Sequence, residues 1–428
     1  MSHDTSAAPW RPLCGLEVTK ALLSVAQGLE CHLVGGALRD SLLEREPRDL
    51  DFIVSGDGKE IAERLAEKLS ARLVPLGGSA FSTYRLVTKT GVIDLLDRGA
   101  KPLVEELRRR DFTINAMALD LGTCELVDPL GGREDITRRC LRQAGARSLR
   151  SDPVRVLRLA RLLAELPGFK VDMRTANSAR AAAVGLGKIP SERLRQELAL
   201  LFESPGASRG IALLIELDVF PTLWLPQSSA GAPRSRQILA DLKSLQEVMS
   251  HLRDRGEDVG LEDTQMALLF MNLPLDGAGS IGDLLRFGFQ RGLISRSQKR
   301  TIEPVLAWQN LPEDTEQLRW FLAQQGENWP TATAALGAHS VSAGAPVAIV
   351  NKKIDSLIDI VQRDGEAIFN PAPLLDGVEI QDLWKIAPGP LLGRAIDQVR
   401  RAQVTGRIGN REEAIALLES WLGSRPEE

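Results

Sequence analysis

The sequence predicts an α+β chain in which an N-terminal α/β head leads into a long all-helical stretch. Short apolar, branched runs alternate with helical spacing up to about residue 138, and apolar residues three and four apart dominate thereafter. No repeat of constant period runs through either part. At 428 residues the chain is too long for one core, so two to four domains are expected.

Leu16 to Leu29 has the spacing of a short helix, and Glu30 to Val34 that of a strand running into a Gly35-Gly36 turn. Leu38 to Leu43 returns to helical spacing, Pro47 breaks it, and Leu50 to Val54 is short and apolar enough for a strand. Lys59 to Leu69 is a helix rich in Ala, Leu and Glu. Arg72 to Leu76 and Tyr84 to Thr88 are strands, and Gly91 turns the chain into another at Val92 to Leu96. These strands need not be parallel. Farther on, Val154 to Leu166, Glu192 to Phe202 and Gly210 to Leu217 are helices separated by Pro167-Gly168, Pro190 and Pro205-Gly206. Pro226 to Pro233 reads as an exposed linker. Helices are expected at Ile238 to Arg253, at Thr264 to Met271 and through Thr301 to Gln325, whereas Thr331 to Ala345 is too weakly patterned to assign. Lys352 to Trp421 is helical again, interrupted at Pro371 to Pro373 and Pro388 to Pro390.

Hydrophobic residues at 43% and charged residues at 26% fit a soluble folded protein. A net charge of -4 argues against a protein that coats nucleic acid, while leaving room for a local basic face. No apolar run is long enough to cross a bilayer, and the N-terminus, with His3, Asp4, Pro9 and Trp10, lacks the features of a signal peptide. A cytoplasmic location away from membranes is the expectation. Cys14, Cys31, Cys124 and Cys140 form no C-x-x-C pair and are expected as buried thiols, without a disulfide framework or structural zinc. The four histidines, at 3, 32, 251 and 339, cannot form a metal cluster from neighbours.

The chemistry gathers in five segments. Asp49 and Asp51 are two apart at a strand, so both carboxylates face one way and suit hard divalent cations such as magnesium. Two such ions about 4 Å apart can activate an attacking hydroxyl and neutralise a leaving pyrophosphate. Asp94, in the next strand candidate, could complete the cluster; the plainer account is a solvated strand end. Ahead of it, Gly35 and Gly36 would let backbone N–H groups approach a triphosphate at the start of a helix, with Arg39 adding a contact and Asp40 orienting it. This is neither a phosphate loop nor a dinucleotide fingerprint. The third segment, Arg109 to Asn115, sets Asp111 and Asn115 one helical turn apart among apolar residues, where Asp111 could accept from a ribose hydroxyl. In the fourth, Asp152 fits an N-cap and Pro153 a first turn, with Arg155 and Arg158 on one face; the Asp and Arg together could read a base edge. The fifth, SERLRQEL at 191 to 198, is mainly structural, with Ser191 as an N-cap and Glu192 or Arg193 bracing neighbouring helices.

In this order the segments GGALRD (35 to 40) with DLD (49 to 51), RRDFTINAMALD (109 to 120), DPLGGREDI (128 to 136), DPVRVLRLAR (152 to 161) and SERLRQEL resemble the class II tRNA nucleotidyltransferases and the related bacterial poly(A) polymerases. Weaker likeness continues in PLLDG (373 to 377) and PGPLLGRAI (388 to 396). The resemblance implies a nucleotidyltransferase head at 1–137, a base-reading neck at 138–225, a body at 226–350 and a tRNA-binding tail at 351–428. Asp49 and Asp51 would hold two magnesium ions and Asp94 would be the third acidic residue. Gly35, Gly36 and Arg39 would grip the triphosphate; Asp111, Arg109 and Asn115 would serve the ribose; Asp152 and Arg155 would pair with CTP or ATP, and Arg158 would help hold phosphate. The partner is the tRNA acceptor end, lying along the helical part with Lys352, Lys353, Arg394, Arg400 and Arg401 as basic candidates.

Three departures from the family pattern bear on activity. Ser151 stands where the base-reading motif usually has Glu. Only Asp97 to Leu103 separates the third acidic strand from the next helix, and in this family a curtailed loop is associated with adding two cytidines and leaving the adenosine to a separate enzyme. ALLFMNLPL (267 to 275) lacks the adjacent His and Asp of an appended phosphohydrolase, with His251 and Asp254 read as surface groups, so that activity is expected to be absent. The alternatives are a poly(A) polymerase or A-adding enzyme on the same residues, and a non-catalytic RNA-binding protein. Oligomeric state stays open, since the patches near Trp224, Trp320 and Trp384 fit either core or interface.

Overall fold

A computed structural model of the chain describes residues 8–47, 49–76, 83–89, 91–224, 235–273 and 281–423. Arg48 and the linker expected at Pro226 to Pro233 lie outside them. The chain forms two compact units, residues 1–197 with 216–222, and residues 198–215 with 223–428. No described helix is long and apolar enough to cross a membrane.

The first unit opens with α1 (Arg11–Cys14), α2 (Glu17–Ala26), β1 (Cys31–Val34), α3 (Gly36–Leu42), β2 (Leu50–Val54) and α4 (Gly58–Leu69). It continues through β3 (Arg72–Leu76), β4 (Thr83–Val87), β5 (Val92–Asp97), α5 (Leu103–Arg108), β6 (Ala118–Asp120), β7 (Leu126–Val127) and α6 (Gly132–Thr137). The seven strands make one mixed sheet in the order β3-β4-β5-β2-β1-β6-β7. Only β2 and β5 pair in parallel; the remaining neighbours are antiparallel.

The sequence explains this layering. All four residues of β1 are buried between β2 and β6, Cys31, Leu33 and Val34 as apolar side chains and His32 as a buried polar one. Helices α2 and α4 present Leu22 and Val25, and Ile61 and Leu65, to the interior. Asp57 caps α4 by accepting from the N–H groups of Lys59 and Glu60. A separate apolar cluster of Val34, Ile53, Leu107, Ala116 and Ala118 fixes α5 and the segment after it against the sheet.

Beyond the sheet come β8 (Cys140–Leu141), α7 (Ser148–Ser151), α8 (Arg155–Glu165), β9 (Lys170–Val171), α9 (Met173–Ala183) and α10 (Ser191–Glu203). β8 and β9 pair in parallel, a two-stranded element inside the stretch expected to be wholly helical. Runs of two residues are too short to leave a periodic signal. Helix α8 buries Val156, Leu157, Leu159, Ala160 and Leu162 along one face.

The second unit is helical throughout its described residues. After α11 (Ala207–Glu216) and α12 (Phe220–Trp224) it comprises α13 (Ser235–Asp254), α14 (Leu261–Met271), α15 (Ile281–Gln290), α16 (Arg296–Leu306), α17 (Thr315–Gln325) and α18 (Trp329–Ser342), then α19 (Val347–Phe369), α20 (Gly377–Trp384), α21 (Pro390–Val404) and α22 (Arg411–Gly423). The span expected as helical from Thr301 to Gln325 is thus broken between α16 and α17. Helix α18 is buried on every side from Trp329 to Ala338. That is why its sequence shows no amphipathic pattern: a helix surrounded by others has no polar face to alternate with. Trp224 is buried against Phe270, ring centroids 5.2 Å apart, and belongs to the core. Asp241, wholly buried, accepts from Gln237, Asn272 and Ser342 and pairs with His339 at 3.0 Å. Those partners outweigh the burial that would raise its carboxyl, and hold it below the ordinary range. His251 Nε2 likewise lies 2.9 Å from Asp355 Oδ1, so it is a half-buried hydrogen-bond partner and not a plain surface group.

The cysteine expectation is overturned. Cys14 and Cys124 form a disulfide spanning 110 residues, whereas buried thiols were expected at both. Their spacing carried no hint, because the end of α1 and the turn between β6 and β7 meet only through the fold. Cys31 and Cys140 are free thiols. Burial, with Asp120 nearby, pushes the Cys31 thiol up to about 11.

Candidate active site

The sheet register builds the site. Reading across β4, β5, β2, β1 and β6, Arg85 lies opposite Asp94, Asp94 opposite Asp51, Asp51 opposite Val34 and Val34 opposite Ala118. Residues paired in register project to the same face, so Arg85, Asp94 and Asp51 form one row. Asp49 immediately precedes β2 and is exposed. Burial raises the Asp51 carboxyl above its ordinary range; Arg110 pulls it down, while the nearby Asp94 and Asp49 carboxylates push it further up.

Gly35, directly after Val34, has φ +83° and ψ −146°. A Cβ there would stand 2.6 Å from Asp51 Oδ2 and 3.2 Å from the Arg110 guanidinium. The first glycine is therefore required by the carboxylate itself, as well as by a backbone conformation that other residues adopt at a cost of roughly 1–3 kcal/mol. Gly35→Ala is expected to lower the unfolding free energy by about 2 kcal/mol, measurable by urea titration, and to displace Asp51. At Gly36 a Cβ would meet the Arg39 guanidinium at 3.3 Å, because that side chain folds back over the turn.

Arg39 is held at both ends. Its Nε and Nη2 donate to Asp40 at 2.9 Å, and its Nη1 donates to Asn115 Oδ1 at 2.9 Å. Asn115 Nδ2 in turn donates to Asp111 Oδ1 at 3.1 Å, which also accepts from the Phe112 N–H at 2.7 Å. Asp111 and Asn115 are not on an α-helix as the sequence suggested: Thr113–Asn115 is a single 3-10 turn. Burial would raise the Asp111 carboxyl, but Arg158, Asn115 and the Phe112 N–H outweigh it and hold it below its ordinary value. Arg109 pairs with Glu106 at 2.9 Å, and it is Arg110 that reaches Asp51, at 3.5 Å.

Asp152 is not the expected N-cap. It lies in extended conformation after α7, and Val154 occupies the cap position of α8 without a side-chain bond. The Asp152 carboxylate accepts from Arg193 Nη2 at 2.7 Å, with Arg155 Nε farther away at 3.8 Å. Arg155 Nη1 donates to Ser148 Oγ at 2.9 Å and to the carbonyl oxygens of Ser148 and Arg110. Ser151, at the place of the usual Glu, turns its hydroxyl to the Ser148 carbonyl oxygen. The buried Glu197 accepts from Arg158 Nε and Arg161 Nε, both at 2.8 Å, and Arg158 Nη1 also reaches Asp111 at 3.4 Å. Helix α10 starts at Ser191 with the Pro190 carbonyl oxygen taking the Leu194 N–H, so Ser191 is one residue inside the helix and not its cap.

Sequence reasoning did not single out Arg85 or Glu197. A signal for Arg85 was present: Gly91 turns the chain between two strand candidates, and pairing them about that turn sets Arg85 opposite Asp94. Glu197 sat within a segment read as structural, its two arginine partners being 36 and 39 residues away. Of the basic candidates in the second unit, Lys352, Arg394 and Arg400 are exposed. Arg401 lies over the Trp320 ring at 5.5 Å, and Lys353 contacts the Leu311 carbonyl oxygen and Glu313.

Among the described residues no group of three or more His, Cys, Asp or Glu side chains is set to hold a metal ion. Asp94 gives both oxygens to Arg85, at 2.8 and 2.7 Å, which leaves Asp49 and Asp51 as carboxylate donors. That donor set suits magnesium, which commonly takes one or two carboxylates and completes its shell with water and substrate phosphate. Burial, and after it the neighbouring carboxylates, raise the Asp51 carboxyl, and a divalent cation would favour its charged form.

Comparison with known proteins agrees with this architecture. Residues 31–142 match the Poly A polymerase head domain, and residues 168–229 match the probable RNA and SrmB-binding site of polymerase A. An A-adding tRNA nucleotidyltransferase of Deinococcus radiodurans is 30% identical over 422 residues, 92% of this chain and 96% of that protein. A CC-adding tRNA nucleotidyltransferase of Synechocystis is 28% identical over 90% of this chain and 92% of that protein. The fold resembles the Bacillus stearothermophilus CCA-adding enzyme solved with CTP, at a TM-score of 0.66 and 23% identity, covering 97% of this chain and 98% of that one.

Proposed function

The chain belongs to the family of tRNA nucleotidyltransferases and poly(A) polymerases, and on that premise we propose that it adds cytidines to the 3′ end of tRNA without a nucleic-acid template. CTP is the donor, pyrophosphate leaves, and the product ends after two cytidines. The row of Asp94 and Asp51 beside Gly35 carries this reading, since it crowds carboxylates where a triphosphate can approach bare backbone.

On this reading Asp49 and Asp51 hold magnesium, which supplies neutralisation of triphosphate charge and activation of the primer hydroxyl. Gly35 and Gly36 let the triphosphate close onto the main chain, and Arg39, fixed by Asp40 and Asn115, donates to it. Asp111 supports the ribose by orienting Asn115, with Arg109 nearby. Arg158, braced by Glu197, holds phosphate. Asp152 and Arg155 present an acceptor and a donor to the base edge, with Arg193 steadying the carboxylate. The primer 3′-hydroxyl then attacks the α-phosphorus in line, and the gain comes from positioning and electrostatics.

The stop after two cytidines rests on the connection between β5 and α5, residues 98–102, which leaves no long loop to rearrange for ATP. Transcripts ending before CCA, after C and after CC, each given CTP, ATP or both, test it. CTP is expected to add two residues to the first transcript, one to the second and none to the third, and ATP to add none to any; ATP addition to the CC end would make it an A-adding or CCA-adding enzyme, and a long A tract a poly(A) polymerase. Arg155→Ala is expected to lower discrimination among the four nucleotides by roughly tenfold, since a matched base contact contributes about 1–3 kcal/mol. Single-turnover incorporation of each nucleotide measures it. We further propose the division into head 1–137, neck 138–225, body 226–350 and tail 351–428, with the tail's exposed Arg394 and Arg400 on the tRNA.

A further inference from the structure

Arg85 is the residue whose placement the reading above leaves unused. Its fork meets Asp94 squarely: Nε donates to Oδ1 at 2.8 Å and Nη2 to Oδ2 at 2.7 Å, so both carboxylate oxygens are occupied. The pairing is fixed by register, because Arg85 and Asp94 face each other across β4 and β5 next to a tight turn. Asp51 stands on the other side of Asp94, one strand away, and its own arginine partner, Arg110, is more distant at 3.5 Å. Three carboxylates therefore share this corner of the sheet with two arginines, and the better-made pair belongs to the carboxylate farther from Gly35. The pair is half-buried, and an ion pair in contact with solvent contributes little to stability. Its consequence here is instead for what else can use Asp94.

We propose that Arg85 is a built-in counter-cation that reserves Asp94, so that the free enzyme offers divalent cations only Asp49 and Asp51. The proposal rests on the metal platform assigned above. A cation drawing on Asp94 must first displace two charge-assisted hydrogen bonds, which a bidentate guanidinium gives up less readily than water. Arg85 thereby keeps divalent binding weak in the absence of nucleotide, when triphosphate oxygens are not there to complete the shell. It also offsets the mutual repulsion of the carboxylates on β5 and β2 when no metal is bound. Arg85 is a positioning residue on this account; it acts through Asp94 and touches no reacting atom.

Binding of Mn2+ to the full-length protein without nucleotide or RNA, followed by the electron paramagnetic resonance of the free ion, tests the idea. Arg85→Met removes one positive charge and frees one carboxylate, and is expected to tighten Mn2+ binding by roughly three- to tenfold. Asp94→Asn alone leaves Arg85 as an unpaired positive charge one strand from Asp51 and is expected to weaken Mn2+ binding by roughly three- to tenfold, and the double variant, with both charges gone, to return to the parent value. Unchanged or weaker binding in Arg85→Met would overturn the proposal. So would a double variant that binds Mn2+ clearly more weakly than the parent, since Asp94 would then be a ligand in the free enzyme; this decides the matter even if Arg85→Met alone does not fold. Asp51→Ala separates this from the premise: it should lose Mn2+ binding, and retention would overturn the metal platform itself, whatever Arg85 does.

Discussion

Replacing Asp51 with Ala is expected to reduce nucleotide incorporation by roughly a thousandfold while leaving the protein folded. Metal held at a carboxylate supplies several kcal/mol of charge stabilisation in the transition state, and about 4 kcal/mol corresponds to three orders of magnitude in rate. Asp51 is the residue to remove because it stands between Val34 and Asp94 in the central strands, with its carboxylate against Gly35. Folding is little affected, since burial and the neighbouring carboxylates already disfavour the charge that the substitution removes. Single-turnover kinetics with labelled CTP measure the loss, and circular dichroism checks the fold. Activity within tenfold of the parent would show that the ions, if bound, lie elsewhere.

Removing Glu197 has the largest expected effect on stability. Its buried carboxylate gathers Arg158 and Arg161 at 2.8 Å, and Glu197→Ala leaves two arginines facing each other with no shared anion. Burial works against the charge of Arg158, while Asp111 and Glu197 favour it strongly, so the pair is coupled to the ribose segment as well. Breaking a buried pair costs about 3–5 kcal/mol; Arg158 and Arg161 keep partial contact with water and retain Asp111 and Glu165, so about 3 kcal/mol is expected. Glu197→Gln keeps the shape and two polar atoms and should lose less. Urea denaturation ranks the two variants. Equal stability of Glu197→Ala and the parent would mean that solvent replaces the carboxylate.

Much of this was legible in the residues. The strands around Asp51 and Asp94 were visible because short apolar runs are bounded by glycine and proline, and the parallel pairing of β2 with β5 then brings the two carboxylates together. The helices α8 and α10 were visible because each is apolar on one face. What was hidden depended on partners distant in sequence. Asp152 read as a cap because Asp-Pro commonly begins a helix, yet its carboxylate is taken by Arg193, 41 positions away. The Cys14–Cys124 disulfide and the buried Asp241 network were hidden for the same reason. Helix α18 escaped because its burial is uniform.

Metal-dependent transfer of nucleotides to tRNA is the activity proposed for the site around Asp49, Asp51 and Gly35. Incubation of the full-length protein with a tRNA transcript lacking CCA and labelled CTP, with magnesium and with excess chelator, tests it most directly. Extension by two residues in magnesium and none in chelator is the expected result. No extension in magnesium, with CTP, ATP or both, on this transcript or on those ending after C or CC, would contradict it.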